Sequence, residues 1–407
     1  MNNDHPSSYL PYYRSPLAKH TDLIWNMHAT QEINYQVSVV RNILNPDNPT
    51  LARTCAKHAD RNAKVRVKRL VVIDSKVDEI YGEMFRSYFS SWNFDIHWKV
   101  ISSDEINKNV ESTIQVAEAM DEAGLLRRGE VVIGIGGGVL LDVVGFAASL
   151  YRRGIPYVRI PTTLMGQIDA GIGVKTGINH GAHKNRLGTY FAPSSALIDP
   201  LFLKSLSQRH ISNGVAEIIK MALIKDKTLF GLLEAMSSHL TPEAFSSDDG
   251  VMKEIVTRSI ASMLAELEPN LWEAELSRCV DYGHTFSPSL ELLANPALLH
   301  GEAVAVDMAL SIALASGRGL LTNEETERAL SLIQISGLPI SHPVFKLSLL
   351  EKALLDTIRH RDGLQRIPLS DGIGNVIFIN DLTLNELEKA LIFLEDRVKA
   401  LGGDVAA

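Results

Sequence analysis

The stretch EVVIGIGGGVLLDVVGFAASL, residues 130–150, constrains the fold more than any other part of the chain. A short apolar run stops at three consecutive glycines, Gly136 to Gly138, and an apolar helical pattern begins at once. This reads as strand, tight turn and helix. Without a Cβ, backbone N–H groups can approach a phosphate at the positive end of the helix. A tight turn alone needs at most one glycine, so three in a row point to phosphate. The G-x-G-x-x-G fingerprint is not completed, because the last glycine, counted from Gly134, falls at Val139. A dinucleotide bound here would therefore occupy a variant of the Rossmann arrangement.

The flanking pattern fits that turn. INYQVSVV, KRLVVIDSKV and IPYVRIPTT read as strands, and VESTIQVAEAMDEAGL carries helical spacing. Strands and helices alternate to residue 198, which predicts an α/β domain over 31–198 with a mostly parallel sheet. From residue 199 to 407 the pattern is helical, with GNVIFIN as its one strand signal. Residues 1–30, rich in Pro, Ser and Asn, read as an arm. A length of 407 residues suits two domains. The net charge of −8 gives no reason to expect nucleic acid. Asp142 and Asp307 interrupt the longest apolar runs, so no membrane span is expected. Two cysteines, Cys55 and Cys279, give no disulfide framework, and a reduced, cytoplasmic setting is the expectation.

Two regions carry chemistry. Residues 160–188, IPTTLMGQIDAGIGVKTGINHGAHKNRLG, place Thr162, Thr163, Asp169, Lys175, Asn179, Lys184, Asn185 and Arg186 in a long segment without obvious secondary structure. Such a loop at the end of a parallel strand suits a phosphorylated sugar. Asp74, closing an earlier strand, is either a ribose acceptor or a cap. The second region holds His284 in DYGHTF and His300 in ALLHGEAV. A catalytic zinc needs three protein ligands and an open position. Glu217, in NGVAEIIK, is the best third ligand, and a buried carboxylate there needs a partner. Spacing alone leaves two partners open: a metal, or Lys220 one turn on.

The ordered motifs GGGVLLDVVGFAASLYRRG, RIPTTLMGQIDAGIGVKTGINH, KNRLG, NGVAEIIK, DYGHTF and LLHGEAVAVDM resemble the dehydroquinate-synthase-like sugar phosphate cyclases. The resemblance implies a Rossmann-like NAD-binding α/β domain followed by an all-α metal-binding domain, commonly assembled as a homodimer. It implies NAD held by Asp74, Glu105, Lys108, Gly137, Gly138, Asp142, Thr162 and Thr163, and Zn²⁺ or Co²⁺ held by Glu217, His284 and His300. It implies substrate contacts from Arg153, Asp169, Lys175, Lys184, Asn185 and Lys220, with Asp169 and Lys220 handling protons.

Departures from the family pattern narrow the substrate. Dehydroquinate synthases place a Lys and an Arg around a substrate carboxylate, where this chain has Met263 and Ser277. A carboxylate desolvated without those cations would be costly. Pro288 stands where a second histidine is usual. A neutral polyol phosphate, sedoheptulose 7-phosphate, is the expected substrate. Leu267, Asp281 and His360 resemble the 2-epi-5-epi-valiolone synthases of C7-cyclitol natural product (antibiotic) biosynthesis. Asp281 is expected to accept from substrate hydroxyls, and His360 to donate or carry a proton. The alternatives are a demethyl-4-deoxygadusol or 2-epi-valiolone synthase, a 3-dehydroquinate synthase, a metal-dependent polyol dehydrogenase and a sugar-phosphate sensor.

Overall fold

Buried apolar strands build the first half. In the computed structural model, residues 25, 27–181 and 183–400 are described. The arm expected over residues 1–30 lies almost wholly outside them. Residues from Tyr35 onward form one compact unit. Its strands β1 (Gln36–Val39), β2 (Val67–Asp74), β3 (Phe94–Ile101), β4 (Val132–Gly136) and β5 (Tyr157–Pro161) precede a hairpin of β6 (Lys175–His180) and β7 (His183–Tyr190), and then β8 (Ser195–Ile198). The main sheet runs β1-β8-β5-β4-β2-β3, and every neighbouring pair is parallel. Strands β4, β5 and β8 are buried along their whole length, as a sheet covered on both faces requires. Four helices attend it: α1 (Thr50–Cys55), α2 (Ser75–Ser91), α3 (Val110–Glu122) and α4 (Gly138–Leu150).

Residues 160–188 are more ordered than the sequence reading expects. Strand β5 runs into one π-type turn, Gly166–Ala170, and the rest is the antiparallel hairpin β6–β7. Arg159, fully buried on β5, fastens this segment to the sheet. Its guanidinium donates to the carbonyls of Ala170, Gly173 and Lys175, at 3.3, 2.5 and 3.0 Å.

The helical half comprises α5 (Gln208–Ile224), α6 (Lys227–Ala235), α7 (Pro242–Ser246), α8 (Gly250–Leu267), α9 (Ser287–Leu293), α10 (His300–Gly317), α11 (Asn323–Ile335), α12 (Leu347–His360) and α13 (Leu384–Ala400). A two-stranded ribbon of β9 (Ile367–Ser370) and β10 (Val376–Ile379) precedes α13. The helical pattern over 210–236 divides in two, because Asp226 leaves α5 and caps α6 by accepting from Leu229 N. Side-chain caps also start α5 (Ser207), α8 (Asp249) and α11 (Thr322). Helix α10 is buried from Gly301 to Ala315 and is the core of this half. Its start lies hard against α5: a Cβ on Gly301 would meet the Asn213 carbonyl oxygen at 2.0 Å. The same closeness lets Gly301 N donate to Asn213 Oδ1 at 2.6 Å. No helix of the described residues is long and apolar enough to cross a membrane.

Candidate active site

The contact between α5 and α10 brings the candidate metal ligands together. Asn213 and Glu217 are four apart and share one face of α5, so the start of α10 brings His300 over Glu217. His284 arrives on the turn before α9. Gly283 there has φ +72°, and a Cβ would meet Met308 Cγ at 2.7 Å, so glycine is required. Asp307, fully buried on α10, holds the same turn by accepting from Phe286 N at 2.6 Å and Ser287 N at 2.8 Å.

One ligand atom from each of Glu217, His284 and His300 lies within 4.8 Å of the others. Glu217 Oε1 is buried without a hydrogen-bond partner and faces Nε2 of both histidines at 3.5 Å. An orphaned carboxylate oxygen opposite two imidazole nitrogens is a donor set that fits Zn²⁺ or Co²⁺. His284 Nδ1 lies 3.0 Å from the Tyr282 carbonyl, which fixes the tautomer that presents Nε2 inward. The other Glu217 oxygen pairs with Lys220. The two partners left open by the sequence are thus both present, one on each carboxylate oxygen.

Electrostatics separates the two histidines. Burial and the Lys220 charge push His284 down to about 4. Burial also acts to lower His300, but Glu217 and Glu291 lift it to about 10. Asp169, on the π-type turn, is raised by burial and by the Glu217 charge, against the pull of Lys220 and His300. Lys220 is raised, because Glu217 and Asp169 outweigh its burial.

A second charged group lies beside Lys220 and Asp169. Lys175 and Arg278 pair with Glu273, while Arg278 and Arg361 pair with Asp281. Three cations therefore share two carboxylates. Partial desolvation, then the Arg278 charge, pushes Lys175 down to about 8, although its side chain keeps 59% of its exposure. Both Asp281 oxygens are engaged by arginines, not left open for hydroxyls as the sequence reading expects.

Ser277, one of the two positions expected to lack a cation, has arginines beside it. Met263 is buried on α8, and Ser277 accepts from Arg366 Nη1 at 3.1 Å. Arg278, Arg361 and Arg366 supply positive charge from neighbouring positions, and carboxylates match each one. His360 is exposed at the end of α12, and it is Arg361, one residue on, that reaches Asp281 at 3.3 Å. Leu267 ends α8 beside Gly173, and Pro288 sits in the first turn of α9. Arg153 is not gathered either. It is exposed, with φ +63°, beyond the C-terminal end of α4, the whole helix away from the glycine turn.

The residues expected around NAD gather at the other end of α4. Gly137 is its N-cap and provides no side-chain acceptor, so the first N–H groups stay available to an anion. A Cβ at Gly137 or Gly138 would press on Thr163 or Ala170 at 3.2 and 3.1 Å. Thr162 N donates to Gly136 O at 2.9 Å, and Thr163 Oγ1 accepts from Gly166 N at 3.1 Å. Lys108 bridges Asp142 and Asn185, both at 2.6 Å. Glu105 accepts from Asn179 at 2.9 Å and Lys184 at 3.2 Å. Asp74 caps α2 through Oδ1, at 2.9 and 3.2 Å from Lys76 N and Val77 N, while its Oδ2 accepts from Ser103. Asp74 thus acts as a helix cap in addition to standing at the glycine turn.

The sequence reading passed over Glu273, Arg278, Glu291, Asp307 and Arg361. All but Arg361 lie within about 25 residues of the DYGHTF motif, and a search for charged residues around that motif would have found them.

The 3-dehydroquinate synthase N-terminal model matches residues 98–213, and the C-terminal model matches residues 214–360. A 2-epi-5-epi-valiolone synthase from Actinomyces sp is 48% identical, over 93% of this chain and 98% of that protein. A demethyl-4-deoxygadusol synthase from Trichormus variabilis is 38% identical, over 79% of this chain and 80% of that one. The solved structure of the 2-epi-5-epi-valiolone synthase from Streptomyces hygroscopicus subsp. jinggangensis 5008, with NAD⁺ and Zn²⁺ bound, superposes with a TM-score of 0.86. It is 48% identical, and the match covers 92% of this chain and all of that one.

Proposed function

The chain belongs to the 3-dehydroquinate synthase family, and from that membership we propose that it is a sugar phosphate cyclase converting sedoheptulose 7-phosphate to 2-epi-5-epi-valiolone and phosphate. The observation that carries this is the convergence of Glu217, His284 and His300 beside Lys220 and Asp169, in a chain 48% identical to valiolone synthases. In this reading residues 31–198 hold NAD and residues 199–407 supply the metal, in a cytoplasmic homodimer.

Glu217, His284 and His300 hold the divalent metal. Asp74, Glu105, Lys108, Gly137, Gly138, Asp142, Thr162 and Thr163 hold NAD. When bound, NAD supplies reversible oxidation of a ring carbinol, and Zn²⁺ or Co²⁺ supplies Lewis-acid stabilisation of charge on oxygen. Lys175, Lys184 and Asn185 take the phosphate, and charge-assisted hydrogen bonds to it strengthen as it departs. Asp169, its carboxyl raised, exchanges a proton with a substrate hydroxyl more readily than an ordinary carboxylate. Lys220, charged and buried, steadies oxygen charge beside it. The arginines around Asp281 fix that carboxylate as one wall of the polyol site, with Leu267, Met263 and Pro288 as its apolar side.

The purified chain, given sedoheptulose 7-phosphate, NAD⁺ and Zn²⁺, is expected to release phosphate and form one cyclic ketone without net NADH. NMR of the product decides its stereochemistry. Steady accumulation of NADH would identify a dehydrogenase instead, and a demethyl-4-deoxygadusol product would move the chain to the sister activity.

A further inference from the structure

Glu291 has no part in the roles above, yet it stands between two of them. It lies on α9, and its side chain keeps 10% exposure. Oε2 faces His300 Nδ1 at 3.3 Å, and Oε1 pairs with Lys184 Nζ. The far nitrogen of the same imidazole, Nε2, faces Glu217 Oε1 at 3.5 Å. Lys184 also reaches Glu105 at 3.2 Å. A single buried carboxylate thus joins the metal ligand His300 to the lysine assigned to phosphate.

We propose that Glu291 is a positioning residue shared by the metal and phosphate subsites. Through Oε2 it orients the His300 ring so that Nε2 points at the metal, and through Oε1 it restrains Lys184 until an anion displaces it. The proposal rests on the metal and phosphate roles given above. A carboxylate behind a ligating imidazole fixes its tautomer and raises its basicity, and losing such a partner typically weakens metal binding 10–100-fold. The effect on the anion has the opposite sign. Glu291 competes with phosphate for Lys184 and repels it, so its removal strengthens phosphate binding.

The test uses the full chain with Glu291→Ala and Glu291→Gln. Zinc affinity is measured by competition with a chromophoric chelator, and inorganic phosphate binding by calorimetry on metal-free protein. Glu291→Ala is expected to bind zinc about 10–100-fold more weakly and phosphate severalfold more tightly. Glu291→Gln keeps an acceptor for the His300 N–H and loses the charge. It is expected to stay nearer wild type for zinc and to share the tighter phosphate binding. General damage to the fold would weaken both ligands together, so that result overturns the proposal, as does an Ala variant with wild-type zinc affinity. Should the Ala variant not fold, Glu291→Gln decides, and phosphate binding no tighter than wild type sinks the idea. A wild-type chain that binds no zinc defeats the metal reading itself, whereas zinc-binding wild type with an indifferent Ala variant defeats only the role of Glu291.

Discussion

Asp307 offers the sharpest measurement of what holds the His284 turn. Its carboxylate is fully buried and accepts from two backbone N–H groups, Phe286 and Ser287. Its other oxygen has no hydrogen-bond partner. Burial pushes the group up to about 6, against the pull of those N–H groups and of Arg361. Because the folded value is raised, the stability it contributes is complete below about pH 4 and is lost as pH rises through about 6. Lifting the carboxyl from its ordinary value to about 6 corresponds to about 3 kcal/mol at pH 7. Asp307→Asn keeps an acceptor for both N–H groups without the charge and is expected to exceed wild type in stability at pH 7. Linkage makes that advantage about 1 kcal/mol smaller at pH 5. Asp307→Ala leaves both N–H groups buried and unpaired, at about 1–3 kcal/mol each, so it should lie about 2–6 kcal/mol below the Asn variant. Urea unfolding of the three metal-free proteins at pH 7 and pH 5 gives these differences directly. Equal stability of the Ala and Asn variants would refute the account, and so would an Asn advantage that grows as pH falls.

Other outcomes follow from the same geometry. His284→Ala should lose bound zinc by elemental analysis while its far-UV circular dichroism stays that of wild type; full metal content would remove His284 from the ligand set. Lys220→Met leaves Glu217 buried without its partner and should destabilise the metal-free protein by about 3–5 kcal/mol, read as a lower unfolding midpoint that added zinc partly restores. Lys175, lowered to about 8, is protonated below that pH. Inorganic phosphate binding should therefore weaken as pH rises through about 8, and Lys175→Arg should move that limb upward in calorimetric titrations. An unshifted limb would show that Lys175 does not face the anion.

The parts of the fold legible in the sequence are those where burial leaves a regular pattern. Strand β4, its glycines and α4 are read correctly because an apolar run, a turn and a helical run follow one another without interruption. Helices α8, α11 and α13 are read from apolar spacing, and the structure adds a Thr322–Glu325 capping box at the start of α11. The β6–β7 hairpin leaves no such signal. Six of the eight β7 residues are exposed, so no apolar alternation marks it. Strand β9 has only four residues and carries Pro368.

In the site, motif position picks out the candidate ligands Glu217, His284 and His300, but it does not tell which way a neighbouring residue points. Ser277 and His360 are each one residue from the arginine that reaches Asp281. His360 ends α12 exposed while its C-cap Arg361 turns inward, and Ser277 and Arg278 lie in an irregular segment where no period assigns a direction. Glu291 lies close enough to DYGHTF to be noticed, but its role has no pattern until both of its partners are placed.

The buried guanidinium of Arg159 divides the labour of the segment after β5. By gathering three carbonyls at once, it makes the chain from Ala170 to Lys175 an extension of the rigid sheet. The mostly exposed strand beyond, which carries Lys184 and Asn185, lies outside that clamp. The inner segment and the outer ribbon are thus held by different means, one by a buried cation and the other by pairing with β6.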